Sequence, residues 1–241
     1  MIRIGRTAIA ITLLLAGSAF AQQQPPAPQA APPPVDFSKV EIKTTDLGDN
    51  VYMLEGQMLG SIGGNITVAV AKTGIIMVDG QFAPLHDKIK AAIATLSNQP
   101  IKYLINTHYH GDHTGGNEGF AKDGATVVAD VNVKNRLAEG TSDGLTGAKT
   151  PPAALGALPS KTYAGKMLKI RLPGRVADLG HIAGAHTDGD TYVWFKTANV
   201  LSTGDTFTNG RYPNIDFANG GNIKGMIAAA DAYLKMTNAK S

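Results

Sequence analysis

The chain has no cysteine. That absence removes a disulfide framework, a thiolate nucleophile, an iron–sulfur cluster and any thiolate-ligated zinc. Other catalytic signatures are missing as well. There is no Walker-type phosphate loop and not one G-x-G triplet, so nucleotide-binding and Rossmann readings fail. Charge is sparse, at 17% of 241 residues. Of the 22 Lys and Arg, Arg3 and Arg6 lie in a removable leader, which leaves 20 basic against 19 acidic residues, or +1. The pI near 9.0 is therefore weak support for a nucleic-acid partner. With no Lys/Arg cluster, none is expected. A long apolar run is lacking too: Ala8 to Phe20, about 13 residues, falls short of the roughly 20 that span a bilayer.

What is present at the start reads as an export signal. Arg3 and Arg6 form a positive n-region, Ala8 to Phe20 the apolar stretch, and Ala19-Phe20-Ala21 a small-residue cleavage site. Cleavage after Ala21 predicts a periplasmic or secreted protein with no stable membrane anchor. Residues 22–34 (QQQPPAPQAAPPP) are uncharged and Pro-rich, which favours an extended tether. The folded domain is expected over 35–241.

Within it, Val40–Thr44, Val51–Leu54, Thr67–Ala71 and Ile75–Val78 read as strands bounded by Gly, Asp or Asn. Lys72-Thr73-Gly74 is the turn between the last two. Leu85, Ile89, Ile93 and Leu96 form one helical stripe with Pro100 beyond it. Strands at 101–105 and 125–129 and a short helix at 131–138 follow. Residues 140–165 read as a long loop with one turn of helix, and long loops often border sites. Strands resume at 167–172, 176–182, 191–196 and 200–202. A closing helix is expected to bury Ile223, Ile227, Ala230 and Leu234. The order suggests two similar halves, each a sheet covered by helix on one face, in the α/β or α+β class.

The chemistry concentrates in His108-Tyr109-His110-Gly111-Asp112-His113, directly after a strand. Residues two apart in extended chain project to one side, so His108 and His110 can grip one ion. Asp112 and His113, a turn onward, can hold a second. Imidazole and carboxylate donors without thiolate suit zinc first, then iron or manganese. His186, in the Gly/Asp-rich turn GAHTDGD, is the candidate third ligand of the first ion. Asp205, in LSTGDTF after a short strand, could bridge two cations. Tyr109 should point away from the ligands, His86 is read as solvated, and His181 as packing or support. Asp188 and Asp190 are read as turn formers, and Trp194 and Phe195 as strand core.

THYHGDHTGG, AHTDGD and TGDTF, in that order and at those separations, resemble the metallo-β-lactamase superfamily, and GGNITVAVAKTGIIMVDG resembles its opening hairpin. The resemblance runs from about residue 40 to 236. It implies a four-layer αβ/βα sandwich with a metal site at the edge of two sheets. His108, His110 and His186 would hold the first zinc, Asp112 and His113 the second, and Asp205 would bridge. Asp79 would orient the metal loop. The family supplies one more histidine from beyond the helix matching Ile223 to Lys235. No histidine follows His186 here, so the expectation is a C-terminally truncated form lacking the last strand and helix, with the second site in doubt.

The implied activity is an exported zinc hydrolase that uses a metal-bound hydroxide on an ester, thioester, lactone or amide of a small-molecule substrate. Asp112 would orient that hydroxide and relay its proton. A bridging aspartate at Asp205 resembles thioester hydrolases and lactonases, whereas zinc β-lactamases usually carry Cys or Ser there. Export favours β-lactams, which makes a zinc β-lactamase the alternative. An iron-dependent sulfur dioxygenase or a non-catalytic metal-binding module are the remaining readings. Oligomeric state is not legible.

Overall fold

Four consecutive apolar residues, Ile75 to Val78, cannot alternate between core and solvent, and the strand they form is buried on both faces. A computed structural model describes residues 35–58 and 60–237; the leader and the Pro-rich linker fall outside them. The strands before this one are β1 (Glu41–Asp46), β2 (Val51–Gln57) and β3 (Ser61–Ala71), and the central strand is β4 (Gly74–Val78). These four form an antiparallel meander, with Ala71 opposite Gly74 across the turn read from the sequence.

Helix α1 (His86–Ala94) then crosses back so that β5 (Ile101–Ile105) lies parallel to β4. Two short helices, α2 (Gly111–Thr114) and α3 (Asn117–Lys122), lead to β6 (Thr126–Asp130), parallel to β5. Helix α4 (Val131–Glu139) follows, capped by the Asp130 carboxylate on the Asn132 amide. The stripe expected on the first helix is the observed one. Leu85, Ile89 and Ile93 are buried and Leu96 half-buried against the first sheet, each worth about 1.5–3 kcal/mol of burial.

The long loop is more ordered than its composition suggested. It contains a small hairpin, β7 (Thr141–Ser142) with β8 (Lys149–Thr150), and one 3-10 turn at Leu155–Ala157. It also contains an unforeseen strand, β9 (Lys161–Tyr163), which extends the first sheet beside β6. Three residues give too short a pattern for alternation to show. The second sheet is β10 (Met167–Leu172), β11 (Arg175–His181), β12 (Thr191–Phe195) and β13 (Val200–Ser202), all antiparallel. The halves are thus similar in layering but unequal, with seven strands against four.

Side chains from both sheets, among them Ile76, Ile105, Val128, Leu179 and Phe195, make the central core. Helices α1 and α3 cover the first sheet, and α5 (Ile223–Thr237) packs on the second through Tyr192 and Ala185. The result is the expected helix–sheet–sheet–helix sandwich. The last helix differs in rotation. Ile223, Ile227, Ala230 and Leu234 are all exposed, and the buried residues are Met226, Ala229 and Tyr233. The helix is apolar on most sides, so periodicity alone offered two stripes. Close packing chose between them: a Cβ at Gly225 would sit 2.0 Å from the Gly184 carbonyl oxygen, so this side presses on the turn before His186. Leu234→Lys is accordingly expected to change stability by no more than about 0.5 kcal/mol. Tyr233→Ala should cost about 3 kcal/mol. Urea unfolding of both variants checks this, and the reverse ranking would refute the observed rotation.

Candidate metal centre

The site forms where the C-terminal end of β5 meets the loops of the second sheet. Beyond Ile105, Asn106 and Asn117 exchange side-chain amide bonds of 2.9 Å in each direction, fully buried. This fixes α3 to the strand end. Asp79 does more. Its carboxylate accepts from the Thr107 amide at 2.7 Å, from the Thr107 hydroxyl at 2.8 Å and from His113 Nδ1 at 2.8 Å. It occupies a left-handed conformation, φ 62°, one that Asp tolerates better than most residues. The Thr191 amide donates to the Thr107 carbonyl at 2.7 Å and so joins the two sheets beside the cluster.

Four histidines converge. His108, His113 and His186 are buried and His110 half-buried. His110 Nδ1 lies 3.1 Å from His108 Nε2 and 3.0 Å from His186 Nε2. Donor atoms of these three fall within 4.8 Å of one another, as do those of His108, His113 and Asp205. Asp112 Oδ2 is 3.6 Å from His113 Nε2. Asp205 reaches both groups, with Oδ1 3.3 Å from His113 Nε2 and Oδ2 3.8 Å from His186 Nε2. All six residues read as ligands from the sequence are therefore brought together. Asp112 and Asp205 are about one-third exposed and mark the open side.

Each imidazole has an outer partner that fixes which nitrogen faces inward. His113 Nδ1 bonds Asp79, and His186 Nδ1 bonds the Asn214 carbonyl at 2.8 Å. His108 Nδ1 sits 3.1 Å from the Thr107 hydroxyl. His110 is turned the other way, with Nε2 3.0 Å from the Asp216 carboxylate. Asp216 was missed in the sequence because its partner is more than a hundred residues away. Tyr109 does not point away from the ligands: its hydroxyl lies 3.1 Å from His110 Nε2 and donates to Asp216, and its ring packs edge-on against His110.

The remaining residues sort by contact. His86 is not solvated but held between Asp87 and Asp123, each at 2.9 Å, with its ring against Phe120. His181 bonds the Asp190 carbonyl and stands outside both donor groups. Asp188 pairs with Arg136 at 2.6 Å, and Asp190 accepts from Thr187 beside His186. Phe195 is core, while Trp194 is half-buried under Lys196. Gly64 is required by proximity, since a Cβ there would lie 2.2 Å from His113 Cε1.

The donor set fits a cation. His113 Nε2 is buried, makes no hydrogen bond of normal geometry and is surrounded by carboxylates. Burial alone would lower the His113 pKa, but Asp79, Asp205 and Asp112 outweigh it and hold it well above the ordinary value. Burial would raise Asp205, yet His113, His186 and His110 pull it down to about 2. Burial, then neighbouring imidazoles, lowers His108; burial also lowers His110 against the pull of Asp216. In the cation-free protein a proton thus sits on His113, while His108 and His110 are neutral. Loading beside His113 must displace that proton. Its affinity is expected to fall about tenfold per pH unit below the raised pKa. Loading at His108 and His110 should stay flat down to pH 6.5, the ordinary histidine value. Calorimetry in buffers of different ionisation enthalpy reads the proton released, and release only with the tighter ion would contradict this assignment.

A cavity of about 490 Å³ adjoins His110, walled by Tyr109, Gly111, Arg136, Leu137, Pro152 and Asp216. A second, of about 600 Å³, lies against β7 and β8 and touches none of the ligand residues.

A family model described as the metallo-beta-lactamase superfamily matches residues 59–240. Among solved structures, a metallo-beta-lactamase from Pontibacter korlensis superposes with TM-score 0.65 at 18% identity, covering 83% of this chain and 87% of that one. BJP-1, a subclass B3 metallo-beta-lactamase of Bradyrhizobium japonicum, gives 0.52 at 25% identity over 66% and 58%. Among curated proteins, the 2,4-dinitroanisole O-demethylase subunit alpha of Nocardioides sp. is 28% identical over 145 residues, 59% of this chain and 41% of that protein. The alkyl/aryl-sulfatase BDS1 of Saccharomyces cerevisiae is 28% identical over 87 residues, 35% and 13% of the two chains. The matches span less than half the length of either curated relative. A model matched over most of the sequence, on a sandwich whose sheet edges gather these imidazoles and carboxylates, places the chain in the metallo-β-lactamase superfamily.

Proposed function

We propose that the protein is an exported zinc hydrolase that cleaves an ester, thioester, lactone or amide bond of a small molecule. The observation that carries this reading is Asp205, a carboxylate within 4 Å of both His113 and His186 and so shared between the two donor groups. His108, His110 and His186 would hold the first zinc, and Asp112, His113 and Asp205 the second. The bound cations supply Lewis acidity and water whose pKa is brought to about 7.

The chain's own residues do the rest. Asp112, about one-third exposed at the open side of the cluster, takes a proton from attacking water and returns it to the leaving group. Tyr109 and the buried imidazoles close the inner side to bulk water, which strengthens the charges acting there. The cavity beside His110 has the volume of a small-molecule site. Secretion follows from residues 1–21 in this reading.

A zinc β-lactamase is the second reading, favoured by the structural neighbours that carry that name. Purification without chelator, metal counting by elemental mass spectrometry, and a panel of thioester, lactone, aryl ester and β-lactam substrates test both. Two zincs with thioester or lactone turnover supports the first reading. Turnover confined to β-lactams replaces it with the second. Iron in place of zinc would revive the dioxygenase, and a metal-loaded protein inert on the whole panel would leave the binding module.

A further inference from the structure

Three of the four clustered histidines direct Nε2 inward; His110 alone directs Nδ1. An imidazole that donates electrons from Nδ1 must carry its proton on Nε2, and that proton needs an acceptor. The Asp216 carboxylate lies 3.0 Å from Nε2 and the Tyr109 hydroxyl oxygen 3.1 Å, and since that hydroxyl itself donates to Asp216, the anion is the stronger acceptor. The carboxylate of Asp216 is held in turn by the Tyr109 hydroxyl and by the Asn219 amide, at 2.8 and 2.9 Å to its two oxygens. Its backbone amide donates to the His186 carbonyl at 2.9 Å. One residue therefore grips two of the three donors of the first group, by side chain and by main chain. The outer partners of His108 and His186 are neutral, a hydroxyl and a carbonyl. Those of His110 and His113 are carboxylates, Asp216 and Asp79.

We infer that Asp216, braced by Tyr109, is the positioning residue of the first metal site: it fixes His110 in its Nδ1-donating tautomer and raises the basicity of that ring. The inference rests on His110 being a ligand of that site. Each site then has one carboxylate-backed histidine, Asp216 behind His110 and Asp79 behind His113. An anionic partner makes the imidazole a stronger donor, and its removal at metal sites costs about 10–100-fold in affinity.

The test uses zinc alone, titrated against a chromophoric chelator, with no substrate. Asp216→Ala is expected to weaken the zinc bound at His108, His110 and His186 by about 10–100-fold while leaving the other unchanged. Asp216→Asn, which keeps an acceptor without the charge, should lie between that variant and the parent. In the metal-free protein, long-range ¹H–¹⁵N NMR should show a single Nε2–H tautomer for His110 that becomes mixed in Asp216→Ala. Three results overturn the inference: first-site affinity within about threefold of the parent, an unchanged tautomer, or an equal loss at both sites that tracks thermal stability. His110→Ala separates the premise from the inference. If it too leaves zinc binding intact, the ligand assignment of His110 fails. If it abolishes first-site binding while Asp216→Ala does not, only the role of Asp216 fails.

Discussion

Alanine in place of His108 is expected to reduce hydrolytic turnover by at least about 10³-fold, the largest effect of any single change in the cluster. His108 has a donor atom within 4.8 Å of the others in each of the two groups, whereas Asp205 reaches the first group through His186 alone. Its ring lies 4.1 Å from that of His113, 4.7 Å from His186 and 4.8 Å from His110, so no neighbour can swing into its place without vacating its own. The metal-free fold should tolerate the change. His108 is buried among other imidazoles, which already disfavour its charged form, and no charge is stranded when it is removed. Elemental analysis should find less than one zinc per chain, with the metal-free melting temperature within a few degrees of the parent (roughly 1 kcal/mol). Two zincs and turnover within about tenfold of the parent would mean that the cluster is not the reaction centre.

Asp79 should show the opposite division between fold and site. Its carboxylate satisfies three donors in a dry environment. Asp79→Ala would leave them unpaired, at about 1–3 kcal/mol for each buried group, and would force alanine into a positive φ. A loss of about 4 kcal/mol and a poorly folded product are expected. Asp79→Asn is the more informative variant. Asn accepts the backbone angle, but its amide nitrogen must face donors that formerly met a carboxylate oxygen. His113 can accommodate this by moving its proton from Nδ1 to Nε2, and Nε2 is then no longer a donor toward the cluster. The expected outcome is a folded protein that keeps the first zinc and loses the second. Circular dichroism combined with zinc counting checks it, and two tightly held zincs in Asp79→Asn would sink the argument.

The layers of the fold were legible wherever burial is two-sided or strictly periodic. Ile75 to Val78 and the Leu85–Ile89–Ile93 stripe lie where their patterns put them. The last helix was readable as a helix but not in rotation, because a helix apolar on most sides carries no unique moment. The choice was made by the contact of Gly225 with the Gly184 carbonyl, a tertiary fact. The strand Lys161–Tyr163 was hidden in a stretch of Gly, Ala and Pro because its order comes from pairing with β6, not from its own residues. Within the site, residues next to each other in sequence were legible: His108, His110, Asp112 and His113 share one turn. His186 and Asp205 could be singled out by their turns. Asp216 and the Asn106–Asn117 pair could not, since their meaning lies in partners that only folding supplies.

The cluster draws its donors from two separate sheets. His108 to His113 hang from the seven-stranded sheet, and His186 and Asp205 from the four-stranded one. The polypeptide link between the two halves is a single crossing at residues 164–166. A cation shared by both sets would be a rivet between them: neither half could open without breaking coordination, so binding energy at the edge becomes cohesion across the whole interface. Ligand linkage of this kind adds about 4 kcal/mol at a thousandfold excess over the dissociation constant. Metal supply would then set how long the protein survives proteases, independently of whether any substrate is present.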